Sequence, residues 1–91
     1  MNKHDMKKIL DENGIKENVI YEMQDTNIGD LLGIEETIQG WTVYYSERGK
    51  KEILEIFDNE DSACRAMLQK VSQRMLEDYG EVVDFSEYQE S

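Results

Sequence analysis

Histidine and cysteine, which most often act as catalytic bases, nucleophiles and zinc ligands, are rare in this sequence. The chain has one histidine and one cysteine, His4 and Cys64. A catalytic nucleophile of the serine type needs a histidine base that is itself oriented by an acid. His4 lies among charged residues near the N-terminus, where a solvated side chain is expected. A zinc site needs several His or Cys ligands at short spacing, which neither residue has. We therefore predict no catalytic residue, no metal and no cofactor.

The abundant carboxylates do not form a recognisable catalytic pair. The chain has 21 Asp and Glu residues, so neighbouring acids arise by chance. Glu35 and Glu36 are adjacent in a predicted strand, where successive side chains point to opposite faces. Gly29 and Gly33 have neither the spacing nor the lysine of a phosphate-binding loop. The sequence therefore predicts a binding protein that is not an enzyme.

The elements that position these residues are clearest in residues 41–57, WTVYYSERGKKEILEIF. Two β-rich runs separated by a short segment with glycine predict a β-hairpin. A two-residue loop at Arg48-Gly49 would set three pairs opposite one another: Glu47 and Lys50, Val43 and Leu54, and Trp41 and Ile56. The last two pairs would then form one apolar face. A three-residue loop with a bulge is equally allowed, and a slip by one residue would exchange the two faces.

Two helical patterns flank this hairpin. Residues 3–13 carry a narrow apolar stripe and end before Gly14, which suits a left-handed cap. The pattern over Glu60–Tyr79 is longer: Asp58 or Asn59 can cap its start, and Gly80 ends it. Its apolar stripe consists of Cys64, Met67, Leu68, Val71 and Met75. On that stripe, Cys64 is expected to be a buried small hydrophobe.

Two further strands are predicted before the hairpin, over residues 18–23 and 34–38. The predicted fold class is α+β, with an N-terminal helix, an antiparallel sheet of about four strands and a long C-terminal helix packed on one face. The alternative pairs residues 18–23 with the C-terminal tail. Because strand side chains alternate, one of Tyr44 and Tyr45 is expected to be exposed or covered by a second layer.

Residues 1–80 form the single predicted domain. Residues 81–91 form an acidic tail, either frayed with a local docking point or an arm that contacts a partner.

The formal net charge of −11 is the most informative property of the composition. It argues against general binding to nucleic acid or to anionic membranes, which need basic protein surface. With no transmembrane run and no signal-peptide pattern, a cytoplasmic protein is expected. The acids form either a solvated surface or a face for a basic protein partner, and the chain itself is expected to be a monomer or weak dimer. The predicted partner-binding residues are Glu17, Glu22, Asp25, Asp30, Glu35, Glu36 and Tyr44.

One stretch resembles a known family. The run W-T-V-Y-Y-S-E-R-G-K-K, then I-F-D-N-E-D-S-A-C and a helix with Leu68 and Val71, is similar to the core of small immunity proteins from bacterial polymorphic-toxin systems of the contact-dependent inhibition type. The similarity covers residues 41–71, about a third of the chain. Its most specific parts are Tyr45-x-Glu47-Arg48-Gly49 and Phe57-x-x-Glu60-x-x-Ala63-Cys64.

The resemblance implies a cytoplasmic α+β protein that binds and occludes one cognate toxin domain. A toxin that cuts nucleic acid needs a basic cleft, which an acidic inhibitor can fill. The resemblance does not identify the inhibitory residues. The alternative function is an acidic regulator, or a nucleic-acid mimic, that binds a basic host protein.

Overall fold

The computed structural model describes residues 1–26 and 29–89. Within those residues the regular elements are α1 (Lys3–Glu12), β1 (Tyr21–Glu22), β2 (Leu31–Thr37), β3 (Gly40–Glu47), β4 (Lys50–Phe57), α2 (Glu60–Tyr79) and a 3₁₀ turn (Ser86–Tyr88). The strands form one sheet in the order β1-β2-β3-β4. The α+β class is therefore confirmed, and β2, β3 and β4 form the antiparallel part of the sheet.

The first strand departs from the prediction in both length and direction. Residues 18–20 form a turn, because Asn18 has a positive φ of 64° and the amide of Ile20 donates to the carbonyl of Lys16. Only Tyr21 and Glu22 remain extended, and they pair in parallel with β2. The sheet is thus mixed, and the predicted all-antiparallel sheet is wrong at this edge. The alternative pairing of residues 18–23 with the tail is also wrong, because Tyr21 and Glu22 pair with β2 and the tail packs against α2 as far as residue 89.

The hairpin turn between β3 and β4 has the two-residue loop, one of the two loops that the sequence allows. Arg48 and Gly49 both have positive φ, at 50° and 79°, and Glu47 lies opposite Lys50. Such a loop matches the right-handed twist of the two strands. The predicted register therefore holds next to the turn.

Beyond Tyr44 the predicted hairpin register is wrong by one residue. A bulge between Val43 and Tyr44 leaves Leu54 as the extra residue of β4. Trp41 consequently lies opposite Phe57, and Val43 opposite Glu55, instead of Ile56 and Leu54. The bulge also sets Ile53 and Ile56, which are three positions apart, on the same face of the sheet, opposite Tyr44 and Thr42.

The helix α2 covers one face of the sheet and supplies most of its core contacts. It begins and ends as predicted: the side chain of Asn59 accepts from the amide of Ser62 at 2.8 Å, and Gly80 caps the other end with φ 66°. Its buried stripe packs against β2 and β3, and Cys64 is fully buried there. The helix α1 adds Met6 and Leu10 to the same core.

The C-terminal tail packs against α2 as far as residue 89. Phe85 is buried, the hydroxyl of Ser72 donates to the carbonyl of Val83 at 2.5 Å, and Arg65 Nη1 donates to the carbonyl of Tyr88 at 2.5 Å. These contacts provide the local docking point that was one of the two interpretations of the tail. The last two residues of the predicted tail lie outside the described residues.

The face of the sheet that does not pack against α2 is here called the open face. An aromatic ring covers its centre. Tyr44 on β3 lies across Gly33 on β2, so that a Cβ atom added at Gly33 would overlap the ring of Tyr44. Both residues are buried. Glycine is needed here for space, since Tyr44 occupies the volume that a side chain of β2 would fill.

We expect Gly33→Ala to lower the free energy of unfolding by about 1–3 kcal/mol, because the added methyl group overpacks this site. Urea denaturation of the wild type and the variant measures the change. The control is the same substitution in a Tyr44→Leu background, which lacks the overlapping ring atoms. An equal cost in both backgrounds would show that the ring is not the reason for glycine at this position.

Candidate functional site

A buried carboxylate lies at the centre of the open face. Glu22 on β1 and Tyr44 on β3 are both fully buried, and the Tyr44 hydroxyl donates to Glu22 Oε2 at 2.5 Å. The other carboxylate oxygen accepts from the amide and the hydroxyl of Thr26, at 3.2 and 2.8 Å. A buried carboxylate is tolerated when its oxygens are hydrogen-bonded in this way. The contact spans β2, which is why β2 has glycine at residue 33.

Lys51 on β4 covers this pair from the solvent side. Its ammonium nitrogen lies 4.5 Å from the centre of the Tyr44 ring, a cation–π distance. The same nitrogen lies 2.8 Å from Asp25 Oδ2 and 3.0 Å from Glu35 Oε1. The hydrogen bonds to Asp25 and Glu35 raise the pKa of Lys51. We call the set Glu22, Asp25, Glu35, Tyr44 and Lys51 the crossing network, because it connects side chains from all the strands of the described sheet.

The crossing network keeps its tyrosine and its lysine protonated. Burial and the neighbouring carboxylate of Glu22 raise the pKa of Tyr44, so its phenol stays protonated and acts as a hydrogen-bond donor. Lys51 holds its proton between two carboxylates. Among the residues that the structure describes, no group of three or more His, Cys, Asp or Glu side chains could hold a metal ion. The cation that Asp25 and Glu35 bind is the ammonium group of Lys51.

The structure brings four of the seven predicted partner-binding residues into this network: Glu22, Asp25, Glu35 and Tyr44. The complete burial of Glu22 and Tyr44 means that neither side chain can touch a partner unless the sheet opens. The other three lie apart. Glu17 pairs with Lys7 at 3.4 Å, Asp30 precedes β2 with its carbonyl accepting from Arg74, and Glu36 lies opposite Trp41 on the α2 side.

Ile53 and Ile56, which are not among the predicted partner-binding residues, lie beside the network. The side chains of Ile53 and Ile56 are 48% and 46% exposed on the open face. The sequence placed Ile56 on the same face as Trp41, and the bulge moves it to the other. No alternation pattern in β4 reveals this, because a bulge changes the face of every residue that follows it. Together with Glu35, these isoleucines form an apolar area with an acidic border.

The chain matches no protein-family model, no curated protein and no solved structure. Within the described part of the chain, no helix has the length and apolar character needed to cross a bilayer.

The two buried tyrosines give a matched test of the crossing network. Tyr21 and Tyr44 are both fully buried, but the hydroxyl of Tyr21 has no hydrogen-bond partner among the described residues. We expect Tyr44→Phe to lower the free energy of unfolding by about 1.5–3 kcal/mol, because Glu22 loses its donor. Tyr21→Phe should leave stability unchanged or raise it. Urea denaturation of both variants gives the comparison, and similar costs for the two would contradict the assigned role of Tyr44.

The fold should lose stability at alkaline pH. Burial raises the pKa of the Cys64 thiol to about 12, against about 8.5 for an unperturbed thiol. Above the unperturbed value the unfolded chain releases this proton while the folded chain keeps it, so the free energy of unfolding falls as pH rises towards 12. The N-terminal amine, whose pKa Asp61 raises by a hydrogen bond, contributes with the same sign.

Cys64→Ala separates the thiol from the other groups. Between pH 9 and 11 the free energy of unfolding should fall less steeply in the variant than in the wild type, with slopes that differ by about 1.4 kcal/mol per pH unit. The substitution can also change stability by a constant amount, which does not affect the slope. Urea denaturation across this range measures the slopes. Parallel slopes for wild type and variant would show that the thiol does not titrate differently on folding.

Proposed function

We propose that this protein is an immunity protein that binds a cognate bacterial toxin domain and occludes its basic surface. The observation that carries the proposal is the open face: no helix of the described chain covers it, and it presents two exposed isoleucines beside a cluster of carboxylates. Apolar contact supplies affinity, and the acidic border selects a basic partner. The sequence resemblance in residues 41–71 points to the same function.

The net charge supports a mechanism of electrostatic capture followed by steric occlusion. A charge of −11 attracts a basic domain from a distance and speeds the encounter. The proposed target is a toxin that acts on nucleic acid, since its catalytic cleft must be basic to hold the substrate backbone. The inhibitor occupies that cleft in place of the substrate, in the cytoplasm where the toxin acts.

The crossing network gives the open face a fixed shape before the partner arrives. Lys51 holds Asp25 and Glu35 in place across the strands, so these carboxylates lose little conformational freedom on binding. Preorganised groups of this kind improve affinity because less ordering is needed when the complex forms. The two accessible carboxylates of the network, Asp25 and Glu35, exceed its one ammonium group, so the exposed part of the face remains acidic.

The first experiment is capture of the partner. The tagged protein is recovered from the cells that produce it, at low and moderate salt, and bound proteins are identified by mass spectrometry. One stoichiometric partner that is a domain of a secreted toxin, and whose activity stops on binding, is the expected result. Several unrelated basic proteins that wash off with salt would overturn the proposal in favour of an acidic regulator or nucleic-acid mimic.

The second experiment assigns the binding face. Ile53→Lys adds a positive charge at the centre of the proposed interface and should weaken toxin binding roughly tenfold or more. Val82→Lys makes the same charge change on the far side of α2, where the side chain is also exposed, and should leave affinity nearly unchanged. Surface plasmon resonance measures both. Equal losses in the two variants would show that only the net charge matters, and a loss confined to Val82→Lys would move the interface away from the open face.

A further inference from the structure

A second exposed apolar surface lies where α2 ends and the tail begins. Leu76, Tyr79 and Val82 are 54%, 51% and 83% exposed. Leu76 and Tyr79 are three residues apart on the helix and therefore neighbours on its surface. Val82 follows the Gly80 cap and lines the same groove as Leu76. We call these three residues the α2-end patch. Because α2 covers the face of the sheet opposite the open one, the patch and the open face lie on different sides of the molecule.

The patch continues into a groove between α2 and the docked tail. The groove has a volume of about 280 Å³ and is lined by the apolar residues Leu76, Val82 and Val83 and the polar residues Gln69, Ser72 and Gln73. The helix residues at 69, 72, 73 and 76 are spaced about one turn apart, so the groove follows the helix axis for about 10 Å. This shape suits the side of another helix lying along α2.

The residues next to the patch in the chain are acidic: Glu77 follows Leu76, and Glu81 and Asp84 flank Val82 and Val83. Beyond Arg74 the sequence has no Lys or Arg, whereas Glu77, Glu81, Asp84 and Glu87 all follow it. The backbone amide of Ser86 lowers the pKa of Asp84, so this carboxylate is ionised at neutral pH. The last turn of α2 has no basic residue, so the negative end of its helix dipole adds to the same potential.

We propose that the α2-end patch binds a basic amphipathic helix of another protein. The apolar side of that helix would cover Leu76 and Val82, and its Lys and Arg residues would meet Glu77, Glu81 and Asp84. This interface is separate from the open face and does not rest on the immunity function. It gives the protein a second contact surface, able to hold another basic protein while the open face is occupied.

A second copy of this chain is a poor occupant of the patch. A two-fold contact places the same residues of both copies against each other, so Glu77, Glu81 and Asp84 would face identical carboxylates. Each copy also has a net charge of −11, which opposes association at low salt. Charge complementarity therefore selects a basic partner.

The test uses two synthetic peptides of about 15 residues, near the length at which an isolated helix becomes stable. They have identical Lys and Leu composition. One spaces its leucines at i, i+3, i+4 and i+7, and the other has the same residues in a scrambled order. Binding to the full-length protein is measured by fluorescence anisotropy at low and moderate salt. We expect the amphipathic peptide to bind at least tenfold more tightly than the scrambled one.

Matched variants locate the binding surface. Leu76→Gln and Val82→Gln remove apolar contact at exposed positions and should each weaken binding of the amphipathic peptide severalfold. Val19→Gln and Ile38→Gln make the same kind of change at exposed positions in the turn before β1 and in the turn between β2 and β3, outside both proposed surfaces, and should have no effect. Circular dichroism confirms that all four variants stay folded. Equal affinity for the two peptides would overturn the proposal in favour of charge attraction without a site, and equal losses in the patch variants and the control variants would overturn the assignment of the surface.

Discussion

The hydrogen bond from Tyr44 to Glu22, made across Gly33, is the interaction on which the rest of the sheet depends. It joins β3 to β1 over the intervening strand, so the two-residue β1 is anchored by a side chain as well as by its backbone. Both groups are buried on a face that no described helix covers, and the lysine that covers them is itself held by Asp25 and Glu35. A buried carboxylate is costly without donors, so its partners have to be present together. The open face therefore has a fixed, polar and well-ordered centre.

The bulge at Leu54 determines which side chains of β4 lie on the open face. One extra residue in β4 changes the face of every side chain that follows, and in this way two isoleucines come to share the open face. The bulge also disturbs the free edge of the sheet, which discourages pairing with other strands. Charged residues in β4 act in the same direction. The same local irregularity thus protects the edge and creates the apolar area next to the acids, which is consistent with binding through the face of the sheet.

The charge of the chain acts at two ranges. At long range, a net charge of −11 attracts basic molecules and repels other copies. At short range, several carboxylates already pair with lysines or arginines of the chain, as Glu55 does with Lys70. These short-range pairs mean that the acids are not equivalent as partner contacts. Among the described residues, exposed apolar side chains lie beside carboxylates on the open face and at the α2-end patch, which are the two surfaces proposed to bind partners.

The sequence by itself determined the parts of the fold that depend on neighbouring residues. The limits of α2 and the burial of Cys64 follow from periodicity and backbone preference within a few residues, and the same signals placed the hairpin turn around Arg48-Gly49 while leaving its loop length open. Tertiary structure decided the parallel pairing of β1, the bulge at Leu54 and the burial of Glu22, whose donor Tyr44 is 22 residues away along the chain. Each of these depends on which residues, distant in the sequence, form hydrogen bonds with a backbone group or a carboxylate. Short-range sequence patterns do not contain that information. For the same reason the sequence could indicate an acidic binding protein, but only the folded sheet separates the acids that are structural from those that remain at the surface.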